Sequence, residues 1–273
     1  MARSAADRRA RAGAVAGALM AVVLGAACGS ARAPEEPAPE GWIPLFNGRD
    51  LDGWVVKLAG RELGDDPWRT FRVEGGVLRV CYDGYETFDG RFGHLFFRTP
   101  FERYRLRVEY RFVGEQTPGA PGWAWRNSGV MLHCQAPETM AVEQGFPVSL
   151  EAQFLGGDGG ARRPTANLCT PGTEVMIGGA PVREHCVDSS SETFHGDRWV
   201  TVELEVHGGD VIRHWIDGQV VLEYTAPRLD ATDPDARRLL DAGSAVALER
   251  GYIALQAESH PIEFRRVELL PLD

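Results

Sequence analysis

The sequence predicts an all-β fold in which two sheets pack face to face, as in a sandwich or jelly roll. Apolar and polar residues alternate along most of the chain, and residues 104–112 place five apolar side chains on one face with Arg or Glu opposite. Asp217-Gly218 separates two further alternating runs and is a strong signal for a two-residue hairpin. About a dozen strands with one short helix are typical of a β-sandwich.

Alternation or apolar content indicates where the strands lie. They are predicted at residues 71–73, 77–82, 95–97, 104–112, 129–133, 149–155, 199–206, 211–216, 220–224, 252–258 and 263–270. The helix is predicted between Asp233 and Gly243, because Asp233 can cap it, Pro234 suits its first turn and Gly243 suits its end. Residues 114–127, 156–191 and 228–250 are predicted as long loops, and we expect the second to be ordered over one face.

Residues 1–28 are predicted to be a lipoprotein signal peptide. Four arginines lie within the first eleven residues, and an Ala- and Gly-rich apolar run then ends at Cys28. This run is too short for a comfortable transmembrane helix of about 20 residues. Cys28 follows small residues as in a bacterial lipobox, so we expect it to be lipidated; the alternative is ordinary cleavage with Cys28 as a bystander. Residues 29–40 are predicted to be a Pro/Glu-rich tether.

Residues 41–273 are therefore predicted to be one exported β-sandwich domain, held at the bacterial cell envelope only by its lipid anchor. The whole chain carries a net charge of −10, and residues 1–28 contain four arginines and one aspartate, so the remainder carries −13. Such an acidic domain is a poor partner for nucleic acid or for an anionic lipid surface. Neutral sugars are bound through hydrogen bonds and remain compatible with this charge.

Four cysteines follow Cys28, and the exported compartment allows disulfides. Cys169 and Cys186 flank a Gly/Pro/Ser-rich stretch that is costly to order, and we predict that they pair. Cys81 and Cys134 lie in strand-like runs and are predicted to be buried thiols. No cysteine spacing matches a zinc site.

Three predicted strands each carry a row of ionisable or amide side chains opposite an apolar row. Since alternate residues of a strand share a face, these rows can line a concave outer surface of one sheet. Outward faces of antiparallel sheets are polar in any case. However, the Glu, Gln and His side chains of these rows suit convergent recognition of a ligand better than the Arg side chains of residues 103–107 do. The rows contain His133, Glu151, Gln153, Gln256, Glu258 and His260.

Two tryptophans, Trp123 and Trp125, lie in a Gly/Pro-rich loop where no core packing requires them. Exposed aromatic rings of this kind stack on the apolar faces of sugars, although anchoring of the loop is the alternative role. Glu151 and Glu258 could form the carboxyl pair of a glycosidase, which requires a separation of roughly 5–9.5 Å. Asp158 lies between glycines, where a turn is favoured over a calcium site. The chain has no Gly-x-Ser-x-Gly esterase elbow and no Glu-x-Asp-x-x-Glu strand of sandwich endoglucanases.

Several ordered motifs resemble the 3-keto-disaccharide hydrolase family. The segment LFNGRDLDGW at 45–54 resembles its opening motif, and NSGVMLH at 127–133, followed by Glu151-x-Gln153, resembles its central strands. Residues 199–206 and 216–218 resemble its next strand and turn, and GYIALQ at 251–256 with His260 and Phe264-Arg265 resembles its closing motif. The match spans about residues 41–270. His133 and Arg266 stand where the family often has Arg and Asn.

The resemblance implies a concanavalin A-like jelly-roll sandwich of two antiparallel sheets and action on glycosides oxidised at C3 of the sugar. The resemblance also implies that the site contains a general base, an acid that protonates the leaving group, and hydrogen-bond donors that stabilise an enolate oxygen. Glu151 or His260 is then the base, Glu258 the other acid/base group, and Gln153, Gln256 and Arg265 the orienting donors. A divalent metal would also stabilise the negative charge of the enolate and stays an alternative to these donors. A non-catalytic carbohydrate-binding module on the same sandwich is the second hypothesis.

Overall fold

The computed structural model describes residues 41–273, so the predicted signal peptide, Cys28 and the tether lie outside the described residues. Within them the fold is an all-β sandwich of two antiparallel sheets, as predicted. No helix in this part of the chain is long and apolar enough to cross a membrane. The strands are β1 (Ile43–Pro44), β2 (Trp54–Leu58), β3 (Phe71–Glu74), β4 (Val77–Val80), β5 (Gly93–Phe97), β6 (Arg103–Phe112), β7 (Asn127–Cys134), β8 (Leu150–Leu155), β9 (Asn167–Cys169), β10 (Thr173–Ile177), β11 (Ala180–Pro181), β12 (Cys186–Val187), β13 (Val200–His207), β14 (Val211–Ile216), β15 (Gln219–Leu229), β16 (Tyr252–Ala257) and β17 (Ile262–Pro271).

The larger sheet has ten strands in the order β11-β10-β15-β14-β13-β6-β17-β4-β3, with β1 paired to β17. The smaller sheet has seven strands in the order β12-β9-β8-β7-β16-β5-β2. The core lies between them and is built from alternate residues, such as Leu106 and Val202 of the large sheet and Val130, Phe154 and Leu255 of the small sheet. Burial of this apolar surface is the dominant stabilising contribution to the fold.

Two local predictions are confirmed in detail. The hairpin between β14 and β15 turns at Asp217-Gly218, both with positive φ, and pairs Ile216 with Gln219. The α-helix α1 (Pro234–Asp241) begins after Asp233, whose carboxylate accepts hydrogen bonds from the backbone N–H of Asp235 and Ala236. Short-range rules therefore define these two elements well.

The outer face of the large sheet carries charged side chains in register. Arg107 on β6 donates to Glu203 on β13 at 2.8 Å and to Glu268 on β17 at 2.7 Å. Such cross-strand pairs suit a solvated surface, as the Arg-rich sequence of this strand indicated. The candidate site lies on the other sheet.

The prediction that residues 156–191 form one long loop is wrong. This segment contains β9 to β12, which extend both sheets at one edge. These strands are short, so they give little alternation to detect. Cys169 and Cys186 lie directly opposite each other on β9 and β12 and form the predicted disulfide. In the same segment Asp158 accepts a hydrogen bond from the backbone of Gly160 at 2.8 Å, which is the turn role predicted for it.

The strand β2 was not predicted from the sequence. Four of its five residues are buried, so it lacks the alternation of a half-exposed strand. It forms the edge of the small sheet beside β5 and brings Lys57 opposite His94. This placement matters for the site described below.

Candidate active site

The outer face of the small sheet collects the polar rows of its central strands. Glu151 and Gln153 on β8, and Gln256 on β16, alternate with core residues such as Ala152 and Leu255, so they point away from the core. Gln153 accepts a hydrogen bond from Asn167 on β9 at 3.1 Å. The sequence correctly predicted that these rows share a face.

Glu151 and Glu258 form a buried carboxyl pair. Only 5% of Glu151 and 3% of Glu258 is exposed. Burial raises the pKa of Glu151 to about 8, and the neighbouring Gln256 amide opposes this shift. Burial and the charge of Glu151 together raise the pKa of Glu258 well above its ordinary value. Since two close carboxylates resist ionising together, one can hold a proton while the other acts as a base.

Gly129 on β7 makes room for the Glu151 carboxylate. A Cβ atom at residue 129 would lie 2.7 Å from Oε1 and 2.9 Å from Cγ of Glu151, both closer than such contacts allow. Residues of β7 separate β8 from β16 in the sheet, so the missing side chain lets Glu151 lean across β7 toward Gln256. The glycine of the NSG sequence therefore has a direct role in shaping the site.

Many polar atoms around this pair lack a hydrogen-bond partner among the described residues. They are Oε1 of Glu151, Oε2 of Glu258, both amide atoms of Gln256 and both ring nitrogens of His94. A buried polar group without a partner costs about 1–3 kcal/mol, so such groups are rare in folded proteins. Their concentration at one place is expected of a site that supplies hydrogen bonds to a ligand.

A strained residue fixes the backbone after Glu258. Ser259 has a φ of 90°, which side-chain-bearing residues rarely adopt. Its N–H donates to the Tyr82 hydroxyl at 2.7 Å, its carbonyl accepts from the Thr117 hydroxyl at 2.8 Å, and its hydroxyl oxygen accepts from Gln116 at 2.9 Å. Backbone strain is often found near functional sites, and these hydrogen bonds hold the chain in place directly after Glu258.

A series of aromatic contacts runs from the surface to the buried His94. Trp123 is 56% exposed and stacks on Phe92 with ring centroids 6.0 Å apart. Phe92 contacts Phe146 at 4.7 Å, and Phe146 contacts His94 at 5.9 Å. Trp123 is thus the exposed ring at the surface end of this series.

His260 does not follow the alternation from which its position was predicted. The strand ends at Ala257, and the positive φ of Ser259 changes the direction of the chain before His260. The imidazole packs between Phe112 and Trp125, at 5.6 and 5.9 Å between ring centroids. Burial, with nearby Arg126 and Arg163, lowers the pKa of His260 to about 4, so the ring is neutral near pH 7.

Trp125 therefore lies beside His260 rather than at an open rim. The guanidinium groups of Arg126 and Arg163 lie 5.3 and 5.2 Å from its ring centroid. Arg163 also donates to the carbonyl oxygen of Trp125 at 2.8 Å. These contacts anchor the loop, which was the alternative role foreseen for this tryptophan.

The expectation that His133 shares the polar face with Glu151 is wrong. A bulge between β7 and β16 interrupts the alternation, and His133 has a φ of 48°. Its Nε2 lies 3.0 Å from the carbonyl oxygen of Gly208, in the turn between β13 and β14 of the other sheet. His133 lines a separate cavity of about 580 Å³, whose other walls include Leu229, Leu248 and Tyr252.

Arg265 is also misplaced by the sequence-based hypothesis. It lies on β17 in the large sheet, next to the core residue Phe264, so its side chain points to the opposite outer surface. There it pairs with Glu109 and lies 4.6 Å from the centre of the Trp199 ring. It cannot orient a substrate beside Glu151.

His94 was missed by the sequence analysis. It lies on β5 opposite Gln256 of β16 and is fully buried. The signal was present, because His94 is the one polar residue of the run GHLFF. The predicted strand began one residue too late to include it.

Between residues 41 and 273 there is no group of three or more His, Cys, Asp or Glu side chains arranged to hold an ion.

Comparisons with known proteins agree with the fold. Residues 41–270 match the family model of the 3-keto-alpha-glucoside-1,2-lyase-like domain. A Bacillus subtilis protein of unknown function with a galectin-like fold is 13% identical, with a TM-score of 0.51, over 84% of this chain and 94% of its own. A candidate glycosyl hydrolase from Parabacteroides distasonis is 18% identical over 85% and 95% of the two chains, with a TM-score of 0.48.

The Bacillus licheniformis β-glucanase is 10% identical over 85% of this chain and 97% of its own, with a TM-score of 0.45. A search of curated proteins finds no significant match. At 13% identity the Bacillus subtilis structure indicates the fold alone, whereas the family match covers nearly all of the described residues. The chain belongs to the family of 3-keto-alpha-glucoside-1,2-lyase-like domains.

Proposed function

We propose that this protein cleaves glycosides whose sugar carries a ketone at C3, by removing the C2 proton and then expelling the group attached at C1. The observation that carries the proposal is the buried pair of Glu151 and Glu258, in which burial raises the pKa of Glu151 to about 8. A carboxylate with so high a pKa is a stronger base than an ordinary glutamate, as proton abstraction from carbon requires.

The two carboxyl groups have different roles in the reaction, one as the base and the other as the acid. In the fraction of molecules in which Glu151 is ionised, which grows as the pH rises towards 8, Glu151 takes the C2 proton that the adjacent ketone has made acidic. The electron pair passes to the ketone oxygen as an enolate. When that pair returns, the C1–O bond breaks, a C1=C2 double bond forms, and the leaving oxygen takes the proton held by Glu258. Addition of water across the double bond then gives net hydrolysis. No oxocarbenium-like state is required, in contrast to ordinary glycosidases.

A second candidate function is carbohydrate binding without cleavage. It is favoured by the exposed ring of Trp123, which Phe92 supports from one side and which could stack on a sugar.

The test compares two matched substrates. The purified protein is incubated with a 3-keto-α-glucoside bearing a chromogenic aglycone and with the unoxidised α-glucoside, and aglycone release is followed. We expect turnover of the keto form only, lost in Glu151→Gln and retained in Glu138→Gln, which changes an exposed glutamate. Binding without turnover of either substrate would support the second function, and equal turnover of both would contradict the proposed mechanism.

A further inference from the structure

We propose that His94 and Gln256 together form the site that holds the C3 oxygen of the oxidised sugar, each donating a hydrogen bond to the enolate. This inference rests on the proposed function and names the residues that stabilise its charged intermediate. The sequence does not reveal His94 and Gln256 as a pair, because 161 residues lie between them along the chain. The sheet brings them together.

The register of the sheet places the pair. Lys57, His94 and Gln256 lie directly opposite one another on the adjacent strands β2, β5 and β16. Directly opposed residues share a face and have Cβ atoms about 4.5–5.5 Å apart. One oxygen atom can therefore lie within reach of both the imidazole of His94 and the amide of Gln256.

Both side chains have hydrogen-bonding capacity that the described residues leave unused. His94 and Gln256 are each 0% exposed, and neither ring nitrogen of His94 has a partner. The Gln256 amide makes no hydrogen bond of full geometry, although it lies close enough to the Glu151 carboxyl to lower the pKa of that group. His214, the other fully buried histidine, contrasts with this, because its nitrogens contact the Ala166 carbonyl and the Tyr224 hydroxyl. His94 is therefore not an ordinary core histidine that satisfies its hydrogen bonds within the fold.

His94 is suited to act as a neutral donor. Burial and the nearby charge of Lys57 lower the pKa of His94 to about 3, so the ring carries a single N–H at neutral pH. The Lys57 ammonium is itself held by the carbonyl oxygens of Leu58 and Val142 at 2.8 and 2.9 Å. Lys57 lies beside His94 on the side away from Gln256, and its positive charge favours an anion next to His94.

The position of Gln256 beside Glu151 matches the geometry of the reaction. The proton leaves C2 and the negative charge arrives on the oxygen of C3, and a bond of about 1.5 Å joins these carbons. The base and the enolate donors must therefore be neighbouring side chains. Gln256 is close enough to Glu151 to lower its pKa, and His94 lies on the far side of Gln256 from β7.

The principal variant is His94→Phe, which keeps a ring among Phe96 and Phe146 but removes both ring nitrogens. Loss of one such donor in other enzymes lowers kcat by about 100- to 1000-fold. We expect a decrease of that size in kcat on the 3-keto-α-glucoside, with KM changed less than about threefold. We also expect exchange of the C2 proton with solvent deuterium, followed on a methyl 3-keto-glucoside, to slow by a similar factor.

Two further variants separate this role from simple packing. Phe96→Leu alters the packing beside His94 without removing a donor, and we expect it to keep kcat within about threefold. His94→Gln restores an amide donor and is expected to recover part of the activity, which also covers the case in which His94→Phe does not fold. The inference would be overturned if folded His94→Phe protein kept its kcat and its rate of C2 proton exchange. It would also be overturned if Phe96→Leu lost as much activity as His94→Phe.

The failure of this inference differs from failure of the proposed function. If the wild-type protein cleaves the 3-keto-glucoside and the His94 variants are fully active, only the donor pair is refuted. Wild-type protein that cleaves no 3-keto-glucoside refutes both.

Discussion

Replacing Glu151 with Gln should stabilise the protein at high pH while abolishing its activity. Gln has nearly the same shape as Glu but carries no charge to bury. In the folded protein the pKa of Glu151 is about 8, against an ordinary value of 4.5. Between these values the unfolded chain has lost the proton and the folded chain retains it. Stability is therefore lost as pH rises through this range, because folding must then take up a proton.

The slope is about 1.4 kcal/mol per pH unit, so the accumulated cost at pH 8 is on the order of 5 kcal/mol. Glu151 is only 5% exposed, so solvent screens little of this cost. Below pH 4.5 both states hold the proton and the cost vanishes. Glu151→Gln should accordingly increase the free energy of unfolding by several kcal/mol at pH 8 and by little at pH 5.

Urea unfolding followed by tryptophan fluorescence measures this difference at the two pH values. Glu138→Gln, an exposed substitution, serves as the control and should change stability by about 0.5 kcal/mol or less at either pH. A gain for Glu151→Gln that is the same at pH 5 and pH 8 would refute the reasoning. So would a loss of stability at pH 8.

Other predictions follow from the contacts of single residues. Gly129→Ala should push the Glu151 carboxylate aside and lower kcat at least about tenfold in kinetic assays. The control Gly145→Ala, whose Cβ would meet only Phe92 at 3.7 Å, should leave kcat unchanged. Equal effects of the two substitutions would contradict this role of Gly129. Replacing Cys169 and Cys186 together by Ser should cost about 3 kcal/mol in urea unfolding, as expected for a loop of about 15 residues, and an unchanged midpoint would show that the disulfide contributes little. Cys28→Ser should release the protein from the membrane fraction, and continued membrane association would contradict the lipid anchor.

The architecture could be predicted because it depends on local patterns. Alternation along β6 reports directly which side chains enter the core. The hairpin at Asp217-Gly218 and the cap at Asp233 depend on a few neighbouring residues, and their chemistry is visible in the sequence. The short strands β9 to β12 were missed because two to five residues carry too little pattern to detect.

The site could be predicted only in part, because it depends on pairing between strands. Alternation correctly placed Glu151, Gln153 and Gln256 on one face. It failed at His133 and His260, where a bulge and a positive φ interrupt the strand, and neither irregularity has a clear sequence signal. The partnership of His94 with Gln256 required the register of β5 and β16, which no local pattern specifies.

Isotopic substitution at C2 of the sugar tests the central claim most directly. A 3-keto-α-glucoside carrying deuterium at C2 is compared with the unlabelled compound, and the rate of aglycone release by the wild-type protein is measured for each. If Glu151 removes the C2 proton, the labelled compound should react several times more slowly, or its label should be lost to solvent during the reaction. Cleavage at equal rates with the deuterium fully retained at C2 would contradict the account.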